Sequence, residues 1–171
     1  KDAANELMNM GKYSLCANFK DLTTSISLAG NPEIIVYREY EEGILMHSLM
    51  SFQNTEAEGS SPSRSLVESY LSANGLPIHQ AENTMYKGDK WFFDEFADRD
   101  PRLYDNVDPA GLRIEGSGVV AYAATGYFAH LFVNPSLLNV PGGMSSTNIT
   151  DAPVMKYNEV LMNYIEAAAE L

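Results

Sequence analysis

The sequence has few cysteines and few basic residues, and each scarcity excludes a class of protein. Cys16 is the single cysteine among 171 residues, so an internal disulfide framework is impossible. Eleven lysines and arginines stand against 23 aspartates and glutamates, which gives a formal net charge of -12. Because no basic cluster interrupts this acidity, nucleic acids and anionic lipid surfaces are disfavoured as partners.

Long hydrophobic runs are also missing. The longest candidate, from Val119 to Val133, is interrupted by Thr125, Gly126 and His130. It falls short of the roughly 20 apolar residues that a membrane-spanning helix requires. Any membrane association is therefore expected to depend on a lipid anchor outside this chain.

The stretch from 116 to 150 contains no Asp, Glu, Lys or Arg, which predicts irregular structure lying against other surfaces. Gly116–Ala121 matches the glycine pattern of a dinucleotide-binding turn. That fold also needs an acidic residue about 20 positions later to hold the ribose, and the uncharged stretch supplies none. No cofactor is expected.

The remaining catalytic patterns fail on spacing. His47, His79 and His130 are spaced like no known metal site and have no Cys or His neighbour. Asp94 and Glu95 are adjacent, so their side chains point in different directions and cannot flank one glycosidic bond as acid and base. We expect no catalytic residue and no metal site.

Helical periodicity is clearest near the two ends of the chain. Ala3, Leu7 and Met10 predict a short amphipathic helix that stops at Gly11. Near the other end, an apolar stripe recurs at helical spacing. The stripe comprises Tyr157, Leu161, Tyr164, Ala168 and Leu171.

Asp151 is the candidate N-cap of this last helix, and Pro153 is expected near its start. Neither terminal helix has a capping residue at the outer end. We therefore expect residues 1–171 to be a single segment, cut at both ends, of a longer protein.

Two further elements are predicted between the ends. Ile34–Tyr37 is typical of a short buried strand. The polar run 53–64 predicts an exposed loop, and it leads into a helix that ends near Asn74 and Gly75. The apolar face of that helix comprises Leu66, Val67, Tyr70 and Leu71.

A charged motif follows at Asp98–Leu103, where Pro101 fixes the backbone as a rigid turn or the start of a helix. Either Arg99 or Arg102 has the fork geometry to clamp a carboxylate of a ligand. The favoured interpretation is structural: Arg99, Asp100 and Arg102 form a charged turn held by its own ion pairs.

Aromatic residues in loop-like surroundings are the best binding candidates. Sugars present C–H faces and hydroxyl groups, so a sugar site needs exposed rings and a few fixed polar groups. One cluster combines aromatic with charged side chains, and a second lies in the uncharged stretch. The candidate ligand-binding residues are Tyr86, Trp91, Phe92, Tyr127 and Phe128, with Lys87, Asp89, Lys90 and Tyr122 beside them. The alternative for each ring is packing in the core.

Five stretches, in order along the chain, resemble one protein family. They are Gly11–Leu15, Asn31–Tyr37, the group Pro62–Ser63 with Leu66–Tyr70 and Asn74–Ile78, the motif Asp98–Leu103, and Ala152–Leu161 with Tyr164–Ala167. Together they are similar to the middle of SusD/RagB proteins, surface lipoproteins that bind nutrients for uptake across the Bacteroidetes outer membrane.

The resemblance implies a mainly α-helical SusD-like fold with TPR-like helical hairpins, long loops and a few short strands. It also implies capture of an oligosaccharide, without chemistry, at the cell surface and delivery to a SusC-like TonB-dependent transporter. Binding of a peptide or another nutrient is the alternative within the family. A helical-repeat adaptor and an enzyme subunit of a glycan-degrading system are the rivals outside it.

Overall fold

The computed structural model describes residues 1–49, 61–108, 123–137 and 147–170. Within these ranges, six α-helices accompany a single two-stranded sheet. The helices are α1 (Asp2–Asn9), α2 (Asp21–Thr24), α3 (Arg64–Ser69), α4 (Phe92–Phe96), α5 (Pro101–Asn106) and α6 (Tyr157–Ala169). A 3-10 turn covers Pro135–Leu137, and the strands are β1 (Ile34–Arg38) and β2 (Ala152–Lys156).

Helices make up most of this regular structure, although only α1 and α6 exceed six residues. Some sequence-based predictions concern other parts of the chain. The glycine-rich run 116–121, Tyr122, Leu171 and most of the polar loop 53–64 lie outside the described residues.

The two predicted terminal helices are confirmed as α1 and α6, and they pack against each other. Gly11, with a φ of +62°, ends the first of them in the left-handed conformation that glycine adopts without strain. Tyr13 then stacks on Tyr157, the first residue of α6, with 6.3 Å between ring centroids. The predicted stripe of α6 is therefore partly covered, and Val160 beside it is buried.

Strand β2 occupies the segment where the start of the last helix was predicted. It pairs antiparallel with β1, so that Tyr37 lies opposite Pro153. A proline lacks a backbone donor, and a two-stranded sheet tolerates it because both strands are edges. The prediction that Asp151 caps α6 was wrong: α6 begins at Tyr157, whose N–H donates to the carbonyl of Glu33 at 2.8 Å.

Strand β1 was predicted to be buried, and it is buried only at its start. Ile34 is 8% exposed, whereas Val36 is 48% exposed. These two positions would share a face in a regular strand, but the pairing with β2 is irregular between Ile34 and Val36 and again between Val36 and Tyr37, so Val36 does not follow Ile34 into the core.

Asp151 has a structural role that the sequence pattern did not reveal. Its carboxylate is 1% exposed and accepts hydrogen bonds from the N–H groups of Leu28 at 2.8 Å and Tyr40 at 3.1 Å. Its own N–H donates to the carbonyl of Ser25 at 2.9 Å. One buried carboxylate thus joins the start of β2 to two distant loops.

Buried apolar side chains form three clusters. The central cluster contains Val67, Phe96, Leu103 and Val107, and Tyr70, Phe92, Tyr104 and Tyr127 pack against it. The N-terminal cluster contains Leu22, Leu28 and Ile34, with Cys16, Phe19 and Tyr37 against it. A third cluster contains Phe132 and Val133, with Leu49, Leu131 and Ala152 against it. The central cluster positions the charged motif and the aromatic residues singled out in the sequence.

Helix α3 is shorter than predicted. Ser63 caps its start by accepting a hydrogen bond from the N–H of Leu66 at 3.2 Å, but the helix ends at Ser69. The turn at Gly75, with a φ of +80°, is a separate feature. Because of this early end, Val67 is the only fully buried member of the predicted apolar face.

Replacing Asp151 with alanine is expected to lower the free energy of unfolding by about 3 kcal/mol, because two buried N–H groups lose a charged acceptor. Denaturant titration of the variant measures the change. Glu82 is exposed in a loop, and Glu82→Ala is the matched control, expected to stay within about 0.5 kcal/mol of the parent. Equal stability of the two variants would contradict the assigned role of Asp151.

Candidate functional site

The centre of the site region is the guanidinium group of Arg99, which is buried although it forms no ion pair with any residue that the structure describes. The residue is 3% exposed. Its Nη2 donates to the carbonyls of Val67 at 2.7 Å and Tyr70 at 2.8 Å, and its Nη1 donates to the carbonyl of Glu95 at 2.9 Å. The predicted partner of this arginine was a carboxylate, and the observed partners are backbone carbonyls.

The three carbonyls lie where two helices end. Val67 belongs to the last turn of α3, Tyr70 is the residue after that helix, and Glu95 belongs to the last turn of α4. The final carbonyls of a helix have no partner within the helix and carry the negative end of its dipole. Arg99 therefore satisfies carbonyls at the ends of both helices with one cation.

The backbone around Arg99 is held to the same segment. Arg99 forms an antiparallel bridge with Ser72, flanked by hydrogen bonds from Ala73 N–H to the carbonyl of Asp98 and from Asp100 N–H to the carbonyl of Leu71. Asp98 has a φ of +54°, a left-handed conformation that aspartate tolerates better than most residues. The side chain of Arg99 and the backbone on either side of it thus hold residues 98–100 against the segment that follows α3.

Tyr86 covers the guanidinium group of Arg99, with 5.5 Å between the ring centroid and Cζ. Burial lowers the pKa of Arg99, and the surrounding tyrosine hydroxyls and Glu95 oppose that shift. Burial also raises the pKa of Tyr86, helped by the charge of Glu95. A cation on an aromatic face is stabilised where water is excluded, so the predicted ligand residue Tyr86 belongs to the scaffold that surrounds Arg99.

Glu95 and Tyr127 form a second polar contact beside this arginine. Glu95 is 4% exposed, and its Oε1 accepts a hydrogen bond from the hydroxyl of Tyr127 at 2.7 Å. Burial, followed by the nearby carboxylate, raises the pKa of Tyr127. The tyrosine hydroxyl therefore holds one oxygen of this buried carboxylate.

Asp100 and Arg102 begin α5 in the manner predicted from the sequence. Asp100 is the N-cap, its Oδ1 accepts from the N–H of Arg102 at 2.9 Å, and Pro101 occupies the first helical position. The guanidinium group of Arg102 returns to the same carboxylate through Nε at 3.0 Å and Nη2 at 2.6 Å. This contact holds the pKa of Asp100 below its usual value.

The predicted aromatic ligand residues divide into buried and exposed members. Phe92 and Tyr127 are half-buried against the central cluster, 6.1 Å apart between ring centroids, and Phe128 is 6% exposed. Trp91 is 65% exposed at the N-cap of α4. The structure therefore brings Phe92 and Tyr127 together in the core and leaves Trp91 free at the surface.

Phe93 is an exposed aromatic residue that the sequence analysis did not select. Its side chain is 73% exposed, next to Phe92, whose ring packs 4.8 Å from that of Phe96. The helical spacing of Phe92 and Phe96 is the signal that identifies the buried face and places Phe93 outside it. Lys90 lies with Nζ 6.0 Å from the centroid of the Trp91 ring, so a cation borders the exposed indole.

The three histidines occupy unrelated surroundings. His47 hydrogen bonds through Nε2 with the carbonyl of Thr150 at 2.8 Å, His79 lies 3.9 Å from Glu68, and Lys20 approaches the ring of His130. Burial lowers the pKa of His47. Within the described ranges, His, Cys, Asp and Glu side chains form no group of three that would hold a metal ion.

Comparison with known proteins gives one match. The model of the SusD family matches residues 50–171, well over half of the chain. No curated protein and no solved structure matches the chain. None of the helices in the described ranges combines the length and the apolar character needed to cross a bilayer.

Arg99→Ala is expected to lower the free energy of unfolding by about 3 kcal/mol or more, since three buried carbonyls lose their donor. Arg102→Ala is the matched control: its ion pair with Asp100 lies at the surface, so the expected loss is below about 1 kcal/mol. Thermal and denaturant unfolding of the two variants give the comparison. The account fails if Arg102→Ala is the more damaging change.

Proposed function

This chain belongs to the SusD family, whose members bind nutrients at the cell surface, and on that premise we propose that it captures an oligosaccharide without chemistry. The observation that supports this is the exposure of Trp91 on a rigid base. Large aromatic side chains are costly to leave in water, and an exposed one indicates a binding role when its surroundings hold it in place.

Helix α4, which begins directly after Trp91, is held rigidly by its contacts with the core. Phe92 and Phe96 on the next turn of α4 pack into the central cluster, and Arg99 bonds the carbonyl of Glu95 at the end of that helix. A platform held in this way loses little conformational entropy when a ligand binds. Trp91 would cover the C–H face of a sugar, and Lys90, next to the indole, would meet its hydroxyl groups.

The charge of the chain favours a neutral ligand. With a net charge of -12, the protein repels anions at long range. A neutral oligosaccharide avoids that penalty and matches the mixture of rings and polar groups around Trp91. A peptide is the competing ligand class, and the binding experiment below distinguishes the two.

The proposal extends to the cellular role. The bound glycan is passed to a SusC-like TonB-dependent transporter in the outer membrane, and a lipid anchor outside this chain keeps the protein at the cell surface. Under the same proposal, α1 and α6 each supply one half of a TPR-like helical hairpin. The exposure of Met162 and Ile165 on α6 supports this arrangement, because a further helix would cover them.

Trp91→Ala is expected to weaken oligosaccharide binding by about 1 to 3 kcal/mol, the range of an aromatic anchor, and to leave the melting temperature nearly unchanged. Isothermal calorimetry with a panel of neutral oligosaccharides provides the affinities. Met162→Ala is the control, because Met162 is 63% exposed and lies on α6, away from the proposed site.

Three results would count against this function. Undiminished binding by Trp91→Ala would place the ligand elsewhere, and loss of folding in that variant would make the indole part of the core. Release of shorter sugars by the purified protein would replace capture with hydrolysis. Binding of peptides and of none of the sugars would assign the other ligand class.

A further inference from the structure

A cleft of about 420 Å³ lies between the central cluster and the N-terminal cluster. The rings of Tyr70 and Phe19 form two of its walls, and each packs on a different cluster. Asp100, Arg102 and Asn106 supply polar side chains to the same cleft. Its volume falls within the roughly 300–1,000 Å³ that small-molecule sites occupy. Trp91 is not among the residues that line it.

Arg102 is positioned in this cleft before any ligand arrives. Its side chain is 70% exposed, yet Asp100 fixes the guanidinium group through Nε and Nη2. None of the described residues accepts a hydrogen bond from Nη1, so its two N–H groups remain available. Holding an exposed arginine in one orientation removes most of the entropy cost of using it for recognition.

The polar groups of the cleft include both donors and acceptors. Arg102 donates through Nη1, and the amide oxygen of Asn106 is the acceptor, because four contacts from Arg102 already occupy the carboxylate of Asp100. Asn106 donates from Nδ2 to the carbonyl of Arg102 at 2.8 Å, an arrangement that orients its amide. Hydroxyl groups of a sugar act as donor and acceptor at once, so they match this set.

The local charge balance indicates a neutral ligand. Asp100 already compensates the charge of Arg102, and a ligand carboxylate would meet Asp100 as well as the overall charge of -12. A vicinal diol meets neither penalty. The half-buried rings of Phe19 and Tyr70 complete a sugar site by offering apolar surface to the C–H face of a pyranose.

The cleft continues on both sides. A neighbouring cleft of about 350 Å³ shares Leu71, Asp100 and Arg102 with it, and another of about 440 Å³ shares Tyr70 and Asn106. The three adjoining clefts form one groove, with Arg102 among the residues that line it. This groove has room for more than one sugar ring.

We propose that this groove, centred on Arg102 and Tyr70, is a second carbohydrate subsite that binds neutral oligosaccharides separately from the surface of Trp91. The proposal deepens the proposed function and rests on it in one respect, the assignment of a sugar as the ligand. It gives Arg102 a role in binding beside the structural role that the sequence analysis favoured.

The test is a heteronuclear NMR titration of the isotope-labelled protein with maltose, cellobiose and lactose as probes. Backbone amides of Leu71, Arg102 and Asn106 report on the groove, and the single indole N–H reports on Trp91. At least one disaccharide is expected to shift the groove amides. Arg102→Ala should weaken that binding about tenfold or more, because it removes a charged donor.

Two variants separate the subsite from the rest of the protein. Arg64→Ala removes an exposed arginine outside the groove and should leave the groove affinity within about twofold, as expected of a surface charge. Tyr70→Phe keeps the ring in the central cluster and tests whether the apolar face alone is sufficient. Glucuronic acid, titrated beside glucose, tests the preference for a neutral ligand.

The positions of the shifts test the groove and the surface of Trp91 separately. Shifts confined to the indole would overturn the groove and leave the proposed function intact. Shifts confined to the groove, abolished by Arg102→Ala, would support the subsite and remove Trp91 as the platform. Shifts at neither position with any sugar would overturn both, and tighter binding of glucuronic acid than of glucose would overturn the neutral assignment.

Discussion

The hydrogen bonds from Arg99 to three backbone carbonyls are the interaction on which the described centre of this protein depends. Helices α3 and α4 are only six and five residues long, too short to be stable from local interactions alone. Their last carbonyls would be left unpaired next to the central cluster, and one buried cation satisfies them both. Its Nε lacks a hydrogen-bond partner in the described part of the chain, a cost that the other three bonds offset.

The hydrogen bonds of Arg99 also determine where the aromatic residues around α4 lie. Helix α4 is fixed at its end by Arg99 and on one face by Phe92 and Phe96. Trp91, just before the helix, and Phe93, within it, lie outside that buried face and are exposed. The same segment continues into α5, where Asp100 caps the helix and orients Arg102 toward a groove. A buried arginine therefore positions both surfaces proposed to bind sugar.

Local patterns in the sequence predicted much of this structure, and long-range contacts account for the differences. Glycine and proline signals located the end of α1 and the start of α5 because those signals act within one turn. Asp151 was mistaken for a helix cap because its partners, Leu28 and Tyr40, lie more than a hundred positions away. The site residues divide for the same reason. The spacing of Phe92 and Phe96 marks the buried face of α4, but their partner Tyr127 comes from a distant segment that periodicity does not identify.

The central claim is that Trp91 forms the exposed face of a binding site on a rigid scaffold. The most direct measurement is the chemical shift of its indole N–H during titration with neutral oligosaccharides, because the chain contains no other tryptophan. The account predicts a saturable shift of this one resonance, while the amides of Glu95 and Arg99 in the scaffold stay near their original positions. An indole resonance that does not move at saturating ligand, although calorimetry detects binding, would contradict it.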